Sequence, residues 1–389
     1  MGSFEHSKTT NRKRNLGKVD ALLNEKLQKV EWGEFKIGDL FEINTYKKRF
    51  DANKVKIFES GDFPYVVRTG LNNGIKGFIN EDKQFLNDGN TISFGQDTAT
   101  MFYQEKPYFT GDKIKIVKSK DKRFNKNNAQ FFILSMNKSF SSFTWGSSSY
   151  SVQIIQNQKI QVPIKKGKID YEFMENFVAE LAAQRVAELA AHLKVTGLKN
   201  YNLTTEEHKV LEDFENDKIA FTEFSFKNIF DKILQGRRLK KEDQITGDIP
   251  FVMAGTTNTG IAKYISNPVA KFPKNSITID IFGNTFYRNY DFGAGDDTGV
   301  YWNSEKVYSD KTMLYLTSSI SKLISGKFDF GNKLRSSQSI DFKVQLPTQN
   351  NKPDYALMET FITAIQKLVI KEVVLYADRK IAATKSFVS

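Results

Sequence analysis

The sequence predicts an α+β protein of mixed helix and sheet, in which two duplicated globular domains with small, twisted sheets are separated by two long helices. These helices are expected to pack as an antiparallel coiled coil. Three observations support this fold class: an internal repeat, short aromatic and β-branched runs bounded by glycine and asparagine, and two long stretches with helical periodicity. A long-period repeat indicates a duplicated structural unit, and runs of that composition are typical of strands.

The repeat is a set of segments that recur in the same order. EFKIGDLF at 34–41 returns as EFSFKNIF at 223–230, which is 189 residues later. GDFPYV at 61–66 returns as GDIPFV after 186 residues, and DYEFMENFV at 170–178 returns as DYALMETFI after 184. The separation drifts in one direction, as small deletions would cause. The chain therefore contains a duplicated domain of about 150 residues, each copy followed by a helix.

Each copy has the same predicted local structure. A Gly-Asp turn precedes a short apolar strand, PYVV or PFVM, and an Asn/Gly-rich loop leads to the next strand. Glycine and asparagine favour such turns because they tolerate positive φ. The β-branched runs KIKIV at 113–117 and SITIDIF at 276–282 complete the pattern. We therefore expect small sheets in both copies.

After each copy the apolar period changes from 2 to 3.6, which predicts helices over 170–195 and from 354 onward. Gly197 is expected to end the first helix. At about 1.5 Å per residue, the two helices would be about 40 and 50 Å long. Their apolar stripes are predicted to pack against each other or a partner. The stripe residues are Met174, Val178, Leu181, Leu189 and Leu193 in the first helix, and Leu357, Phe361, Ile365 and Leu368 in the second.

These patterns divide the chain into five segments. They are an N-terminal tail with a short helix (1–31), a first domain (32–168), a central long helix with its linker (169–220), a second domain (221–350) and a C-terminal long helix (351–389).

The charge suggests a polyanionic partner. The 389 residues carry a formal net charge of +12, with 57 Lys and Arg against 45 Asp and Glu. Nucleic acid is the first candidate and a membrane surface the second. A basic protein without any polyanionic partner explains the charge equally well.

Residue usage excludes several kinds of chemistry. The chain has no cysteine, which excludes disulfides, thiol catalysis and thiolate metal sites and is typical of the cytoplasm. The three histidines are scattered, so we expect no metal site. No run of about 18 apolar residues predicts a membrane span, and the polar N-terminus does not have the pattern of a secretory signal.

Two similar basic domains on a stiff spacer are suited to bind two separated stretches of one DNA duplex. The paired basic residues Lys48/Arg49 and Arg237/Arg238 recur where the chain leaves a strand, and are candidate phosphate contacts. Candidate base contacts lie in loops where the copies differ, because arginine suits guanine whereas asparagine and glutamine suit adenine. They are Arg68, Asn72, Asn73, Gln96, Asp97 and Thr98 in the first copy, and Thr257, Asn258, Asn284 and Arg288 in the second. Two further polar loops, TWGSSSY at 144–150 and KLRSSQS at 333–339, add Ser148, Lys333 and Arg335. For each single residue, turn-forming polarity is an equally good interpretation.

No catalytic pattern is evident. The Asn/Asp-Pro-Pro-aromatic tetrad of adenine and cytosine amino-methyltransferases is missing, as is a Walker loop. The glycine-rich DFGAGDD at 291–297 does not open a helix and is predicted to be a turn. The chain is therefore expected to select a target and to leave chemistry to partners.

The ordered array WGEFKIGDLFEI, GDFPYV, GLNNGI, IQVP and DYEFMENFV resembles the specificity (HsdS) subunits of type I restriction–modification systems, and the second copy resembles their BcgI-like variant. The resemblance covers the chain from about residue 32 to the C-terminal helix. It implies two target-recognition domains, a coiled-coil spacer, and a bipartite asymmetric DNA target.

The same resemblance implies partners and a cofactor that this chain does not itself hold. Two DNA methyltransferase (modification) subunits would dock along the helices and carry S-adenosylmethionine for adenine N6 methylation. A restriction subunit would join them, or in BcgI-like systems the cleaving activity would be fused to the modification chain.

Two alternatives remain open from the residues alone. One is a non-catalytic scaffold or a binder of another polyanion, which a salt titration of duplex binding would distinguish. The other is a self-sufficient DNA methyltransferase, which would transfer a labelled methyl group without a partner. The sequence gives neither the target bases nor the gap between half-sites.

Overall fold

The computed structural model describes residues 21–141 and 150–386, with side chains described as far as residue 383. The chain forms two compact units. The first comprises Met1–Glu188 with Ala383–Ser389, and the second comprises Leu189–Ala382. The division falls inside a long helix, so the five segment boundaries proposed from the sequence stay predictions.

The first unit contains three small sheets. Their strand orders are β1-β9-β10, β2-β8-β5-β6 and β4-β3-β7, and the pairs are antiparallel except for β3 with β7. The elements are α1 (Ala21–Lys29), β1 (Glu31–Lys36), α2 (Ile37–Leu40), β2 (Phe41–Thr45), β3 (Pro64–Val66), β4 (Ile75–Phe78), β5 (Thr91–Gly95), β6 (Met101–Gln104), β7 (Phe109–Thr110), β8 (Ile114–Ser119), α3 (Ala129–Ser139), α4 (Val152–Asn157), β9 (Lys159–Lys165), β10 (Lys168–Ile169) and α5 (Tyr171–Val195), whose last turns belong to the second unit.

The second unit repeats this plan with sheets β11-β20-β21, β12-β19-β16-β17 and β14-β13-β18-β15. Its elements are α6 (Thr205–Glu215), β11 (Phe221–Ser225), α7 (Phe226–Ile229), β12 (Lys232–Gln235), β13 (Thr246–Val252), β14 (Ile261–Ile265), β15 (Lys271–Phe272), β16 (Ser276–Asp280), β17 (Thr285–Arg288), β18 (Phe292–Ala294), β19 (Thr298–Trp302), α8 (Asp310–Ile324), β20 (Lys343–Gln349), β21 (Lys352–Pro353) and α9 (Tyr355–Ser386).

The shared strand order confirms the duplication and the mixed helix-and-sheet fold class. Even the single parallel pairing recurs, since β3 pairs with β7 and β13 pairs with β18. One expectation was wrong in part: residues 292–294 of DFGAGDD form β18 rather than a turn. The parallel pairing explains why, because β18 lies between β13 and β15 and its residues are buried.

Aromatic side chains build equivalent cores. In the first unit the buried ring of Phe41 meets Phe124 and Phe132 edge-on, with centroids 5.6 and 5.2 Å apart. In the second unit Phe226 and Phe230 contact Tyr301 at 5.9 and 6.0 Å. Burying each such ring contributes roughly 1.5–3 kcal/mol. These cores hold the four-stranded sheet against the neighbouring helices in each unit.

The long helices have the expected lengths, with 25 residues in α5 and 32 in α9. Gly197 has φ of 74°, which fits the stop predicted after α5. Met174 and Leu193 are buried, whereas Val178, Leu181 and Leu189 are half-buried. Within the second unit, Leu193 lies in one apolar cluster with Val374 and Ala377 of α9. The full antiparallel coiled coil remains a prediction.

On the predicted stripe of α9, Leu368 is 47% exposed, whereas Leu357, Phe361 and Ile365 are half-buried, and the packing of Leu368 against a partner stays a prediction. The side chains of α9 that pack inward form a line in which successive residues are mostly three positions apart. A spacing of three falls short of a full helical turn, so the line winds around the helix and leaves Leu368 to one side. It consists of Met358, Phe361, Ala364, Lys367, Ile370, Val374 and Ala377. Alanine and lysine carry little apolar signal, which is why the sequence pattern missed it.

Among the helices described in residues 21–141 and 150–386, none is both long enough and apolar enough to cross a membrane.

Candidate nucleic-acid interface

Each unit has a basic cleft beside the loop that follows the first strand of its four-stranded sheet. Cleft 1, in the first unit, has a volume of about 520 Å³, and cleft 2, in the second unit, about 590 Å³. The charged residues that line cleft 1 are Arg49, Asp51, Arg68, Lys76 and Asp112. Those that line cleft 2 are Arg238, Lys240, Lys241, Glu242, Asp296, Asp297, Lys333 and Arg335. Basic residues outnumber acidic ones in both.

The clefts occupy equivalent places in the repeat. Gly111 N donates to Val66 O at 2.8 Å after β7, and Gly295 N donates to Val252 O at 2.9 Å after β18. The residue after each glycine, Asp112 or Asp296, lines its cleft. The duplicated backbone therefore forms two clefts of the same design.

Buried contacts position the exposed Arg49 of cleft 1. Its neighbour Phe50 donates a backbone hydrogen bond to Thr110 O at 3.0 Å and packs its ring edge-on against Phe109. Tyr65 Oη donates to Phe50 O at 2.7 Å. Burial, together with the charges of Asp51 and Asp112, raises the pKa of Tyr65 to about 12. The phenol therefore stays protonated and able to donate this bond at neutral pH.

Cleft 1 contains a network of ion pairs. Asp112 carboxylate oxygens lie 3.4 Å from Arg49 Nη1 and 4.0 Å from Arg68 Nη2. Asp97 pairs with Arg68 Nη1, and its Oδ2 lies 2.9 Å from Lys113 Nζ. The two carboxylates thereby bring Arg49, Arg68 and Lys113 close together.

Backbone contacts position Arg237 and Arg238 at cleft 2. Arg237 N donates to Ala294 O at 2.9 Å, and Gly236 N donates to Thr298 O at 2.9 Å. A Cβ atom at Gly236 would lie 2.2 Å from Gly295 O, so only glycine fits this close approach. Both arginines are exposed, as expected for phosphate contacts.

Arg335 joins cleft 2 from a distant part of the sequence. Its Nη1 donates to Asp296 O at 2.6 Å, and its backbone N donates to Gln338 Oε1 at 2.7 Å. Lys333 is exposed and its Nζ lies 5.7 Å from the ring centroid of Phe330. The loop KLRSSQS at 333–339 therefore meets the segment DFGAGDD at 291–297, which the sequence singled out separately.

The asparagine loops have a clear structural role. Asn72, Asn73 and Asn258 adopt φ of 45°, 55° and 49°, a left-handed conformation that asparagine tolerates better than most residues. Asn72 Nδ2 donates to Ile75 O at 3.1 Å, and Asn73 Nδ2 donates to Tyr103 O at 3.0 Å. All three side chains are exposed. Turn formation alone thus accounts for these residues, and a base contact stays a prediction.

The structure contradicts the expectation that Arg288 is an exposed loop residue. It ends β17 with 2% exposure, and its guanidinium donates to Thr259 O at 2.6 Å, Thr278 Oγ1 at 3.0 Å and Tyr290 Oη at 3.0 Å. Burial lowers the pKa of Arg288 from its ordinary value. Strand alternation turns this side chain inward, where it supports the loop at 257–260.

The remaining candidates are spread around the clefts. Thr98 lines cleft 1, and its Oγ1 lies 2.9 Å from Thr100 Oγ1. Asn284 is half-buried and donates through Nδ2 to Asp280 Oδ2 at 2.8 Å. Lys48 and Thr257 are exposed, Gln96 is half-buried, and Ser148 lies outside the described residues.

Three lining lysines, Lys76, Lys240 and Lys241, were missed by the sequence analysis. Their signal was their proximity in sequence to the segment GLNNGI and to the basic pair Arg237/Arg238. In the part of the chain that the structure describes, no group of three or more His, Asp or Glu side chains could hold a metal ion. Because basic residues outnumber acidic ones in both clefts, their charge is suited to a polyanion.

Comparison with known proteins supplies independent information. A family model described as the type I restriction modification DNA specificity domain matches residues 29–191 and 218–375. The specificity subunit S.BcgI of the type II restriction enzyme BgcI from Heyndrickxia coagulans is 26% identical over 353 residues, which cover 88% of this chain and 96% of that protein. The crystal structure of a type I restriction-modification S subunit from M. genitalium matches with a TM-score of 0.54 and 14% identity, covering 95% of each chain. That structure supports the fold.

Proposed function

The chain belongs to the type I restriction modification DNA specificity domain family, whose model matches both repeats, and we propose that it reads a bipartite, asymmetric target in double-stranded DNA. Each domain would bind one half-site, with the long helices as the spacer. As a specificity subunit of this family the chain is not itself an enzyme.

The observation that carries the proposal is the pair of clefts at equivalent places with different side chains. A repeated backbone gives two surfaces of the same design, and phosphate contacts need exposed cations such as Arg49 and Arg238. The side chains that could distinguish bases differ, since Arg68 in cleft 1 corresponds to Ala254 in the second copy. Two different readers imply two different half-sites rather than a palindrome.

Membership of this family also suggests which partners the chain has. Two DNA methyltransferase subunits would dock on this chain, carry S-adenosylmethionine and methylate adenine N6 at the selected site. Cleavage would come from a restriction subunit or from a domain fused to the methyltransferase, as the BcgI-like resemblance suggests. The complex would work in the cytoplasm, where its DNA is found.

Duplex binding by the full chain at 50–200 mM salt tests the proposal. The logarithm of the binding constant should fall linearly with the logarithm of salt concentration, with a slope of about −0.9 per neutralised phosphate. Arg238→Ala should reduce that slope by about one. Lys343→Ala is the matched control, because this exposed lysine pairs with Glu223 within the sheet of β11 and β20 and does not line cleft 2.

Binding that shows no preference for duplex over heparin would contradict DNA recognition. Methyl transfer from labelled S-adenosylmethionine by the chain alone would contradict the division of labour between subunits.

A further inference from the structure

Arg68 of cleft 1 is held between two carboxylates. Asp97 pairs with its Nη1, and Asp112 Oδ2 lies 4.0 Å from its Nη2. Asp97 is itself held by Lys113 Nζ at 2.9 Å. The side chains of Arg68 and Asp97 are 30% and 34% exposed. The guanidinium is thus fixed in orientation while part of it faces the cleft.

The turn below Arg68 allows this placement. A Cβ atom at Gly95 would lie 2.6 Å from Thr100 Oγ1, 2.7 Å from Thr98 Oγ1 and 3.4 Å from Arg68 Cγ. The absence of a side chain at residue 95 therefore lets the turn close while the stem of Arg68 passes against it.

Two carboxylates make Arg68 a poor phosphate ligand and a good directional donor. Their negative charge offsets the attraction of a phosphate, whereas fixing the side chain removes the entropy cost of ordering it on binding. A guanidinium has five N–H groups. Even with one N–H assigned to each carboxylate, three remain, and a bidentate contact with guanine O6 and N7 needs two.

Arg49 in the same cleft provides the contrast. It is 56% exposed, and its ion pair with Asp112 is long, at 3.4 Å. An exposed cation with only a long ion pair suits the sequence-independent phosphate backbone. The two arginines of cleft 1 are therefore adapted to different parts of a duplex.

At the position equivalent to Arg68, the second unit has no arginine held by carboxylates. Ala254 replaces Arg68, and Asp297 occupies the position of Lys113, two residues after the equivalent glycine. Asp297 Oδ2 accepts a hydrogen bond from Ala254 N at 3.0 Å, and Asp280 Oδ2 accepts one from Gly255 N at 2.9 Å. Carboxylates that could orient a cation here bind the loop backbone instead.

Building on the proposed function, we propose that Arg68 determines specificity for one guanine in the half-site of the first unit. Asp97 and Asp112 are its positioning residues. The second unit does not read its half-site from the equivalent position, Ala254.

To test this, the full chain is mixed with a pool of duplexes that have randomised positions, and the duplexes that it binds are sequenced. The wild-type chain should enrich a two-part sequence that contains a required guanine in one part. Arg68→Ala should lower the preference for guanine at that position by roughly 5- to 150-fold, and leave the other half unchanged. Asp97→Asn, which keeps Arg68 but weakens its orientation, should relax the same position to a smaller degree.

Arg49→Ala is the matched control. It should weaken binding to all duplexes and reduce the salt slope by about one, with the sequence preference unchanged. Circular dichroism establishes that each variant is folded. If Arg68→Ala does not fold, Asp97→Asn decides the question, and an unchanged guanine preference in that variant overturns the inference.

Two results separate this inference from the proposed function. If the wild-type chain enriches no sequence, the proposed function itself fails. If the wild type enriches a two-part site and Arg68→Ala keeps every preference, or loses affinity equally for all duplexes, only the role of Arg68 is overturned.

Discussion

Replacement of Lys367 by methionine is expected to destabilise the second unit, because it removes the cation from a nearly buried ion pair. Lys367 Nζ lies 2.8 Å from Glu207 Oε2, and the two side chains are 15% and 8% exposed. Glu207 also accepts a hydrogen bond from Thr204 N at 2.7 Å and so caps α6. Without the lysine, a carboxylate would remain where water has little access.

Removal of one partner of a buried pair typically costs about 3–5 kcal/mol. We expect the lower end, about 3 kcal/mol, because Glu207 keeps its bond from Thr204. For a unit of this size, that corresponds to a fall in melting temperature of roughly 6–12 °C. The double variant Glu207→Gln/Lys367→Met should be more stable than Lys367→Met alone, because no unpaired charge remains.

The destabilisation caused by Lys367→Met should be smaller at acid pH than at neutral pH. Burial alone would raise the pKa of Glu207, but hydrogen bonds from Lys367 and Thr204 outweigh it and hold the pKa below its ordinary value near 4.5. A carboxyl group with a lowered folded pKa stabilises the protein above its unfolded pKa, and this contribution is lost as pH falls through the folded value. The difference between wild type and Lys367→Met should therefore shrink in acid.

Thermal unfolding followed by circular dichroism at pH 7 and in acid measures these differences. Lys371→Met is the matched control, since Lys371 is exposed on the same helix and its replacement should change stability by less than about 0.5 kcal/mol. If Lys367→Met melts at the wild-type temperature at pH 7, or if the double variant is less stable than the single one, the reasoning is refuted.

Three further predictions concern the clefts and the spacer. Arg288→Met should cost about 1.5–3 kcal/mol in thermal unfolding, because the buried acceptor Thr278 Oγ1 loses a charged donor; an unchanged melting temperature would contradict this. Gly236→Ala should lower both stability and duplex affinity, since its Cβ would meet Gly295 O, and a wild-type binding curve would contradict that. Deletion of 182–185 shortens α5 by about 6 Å. Methylated sites sequenced from the reconstituted complex should then have a gap shorter by roughly two base pairs and unchanged halves, whereas an unchanged gap would refute the spacer.

The fold could be predicted because the sequence contains the same domain pattern twice. Each aligned pair of segments constrains the other, so GDFPYV and GDIPFV could be assigned to equivalent strands before either strand was placed. Helix lengths followed from periodicity, and the stop at Gly197 followed from the preference of glycine for positive φ. Periodicity and helix stops depend on residues that are close in sequence, which is why they can be predicted from the sequence alone.

The arrangement of the candidate site was only partly predictable. Its cations come from separate loops, and nothing in the sequence places Arg335 beside Asp296. Arg288 was misjudged for the opposite reason: its charge suggested the surface, but five N–H groups can be satisfied in the interior when hydroxyl and carbonyl acceptors surround them. The line of Ala364 and Lys367 on α9 was missed because its contacts depend on α6, which a single-helix pattern does not include.

The two copies differ in their clefts while their frameworks agree, and the hydrogen bonds explain how this is possible. The bonds that place the cleft-lining segments, such as Gly111 N to Val66 O and Gly295 N to Val252 O, join backbone atoms and do not depend on the neighbouring side chains. A residue beside them can therefore change from lysine, as at 113, to aspartate, as at 297, without loss of the strand pairing. The reading surface of each unit can thus vary at little cost to its fold. The proposed recognition of two unlike half-sites therefore requires only one domain design, used twice.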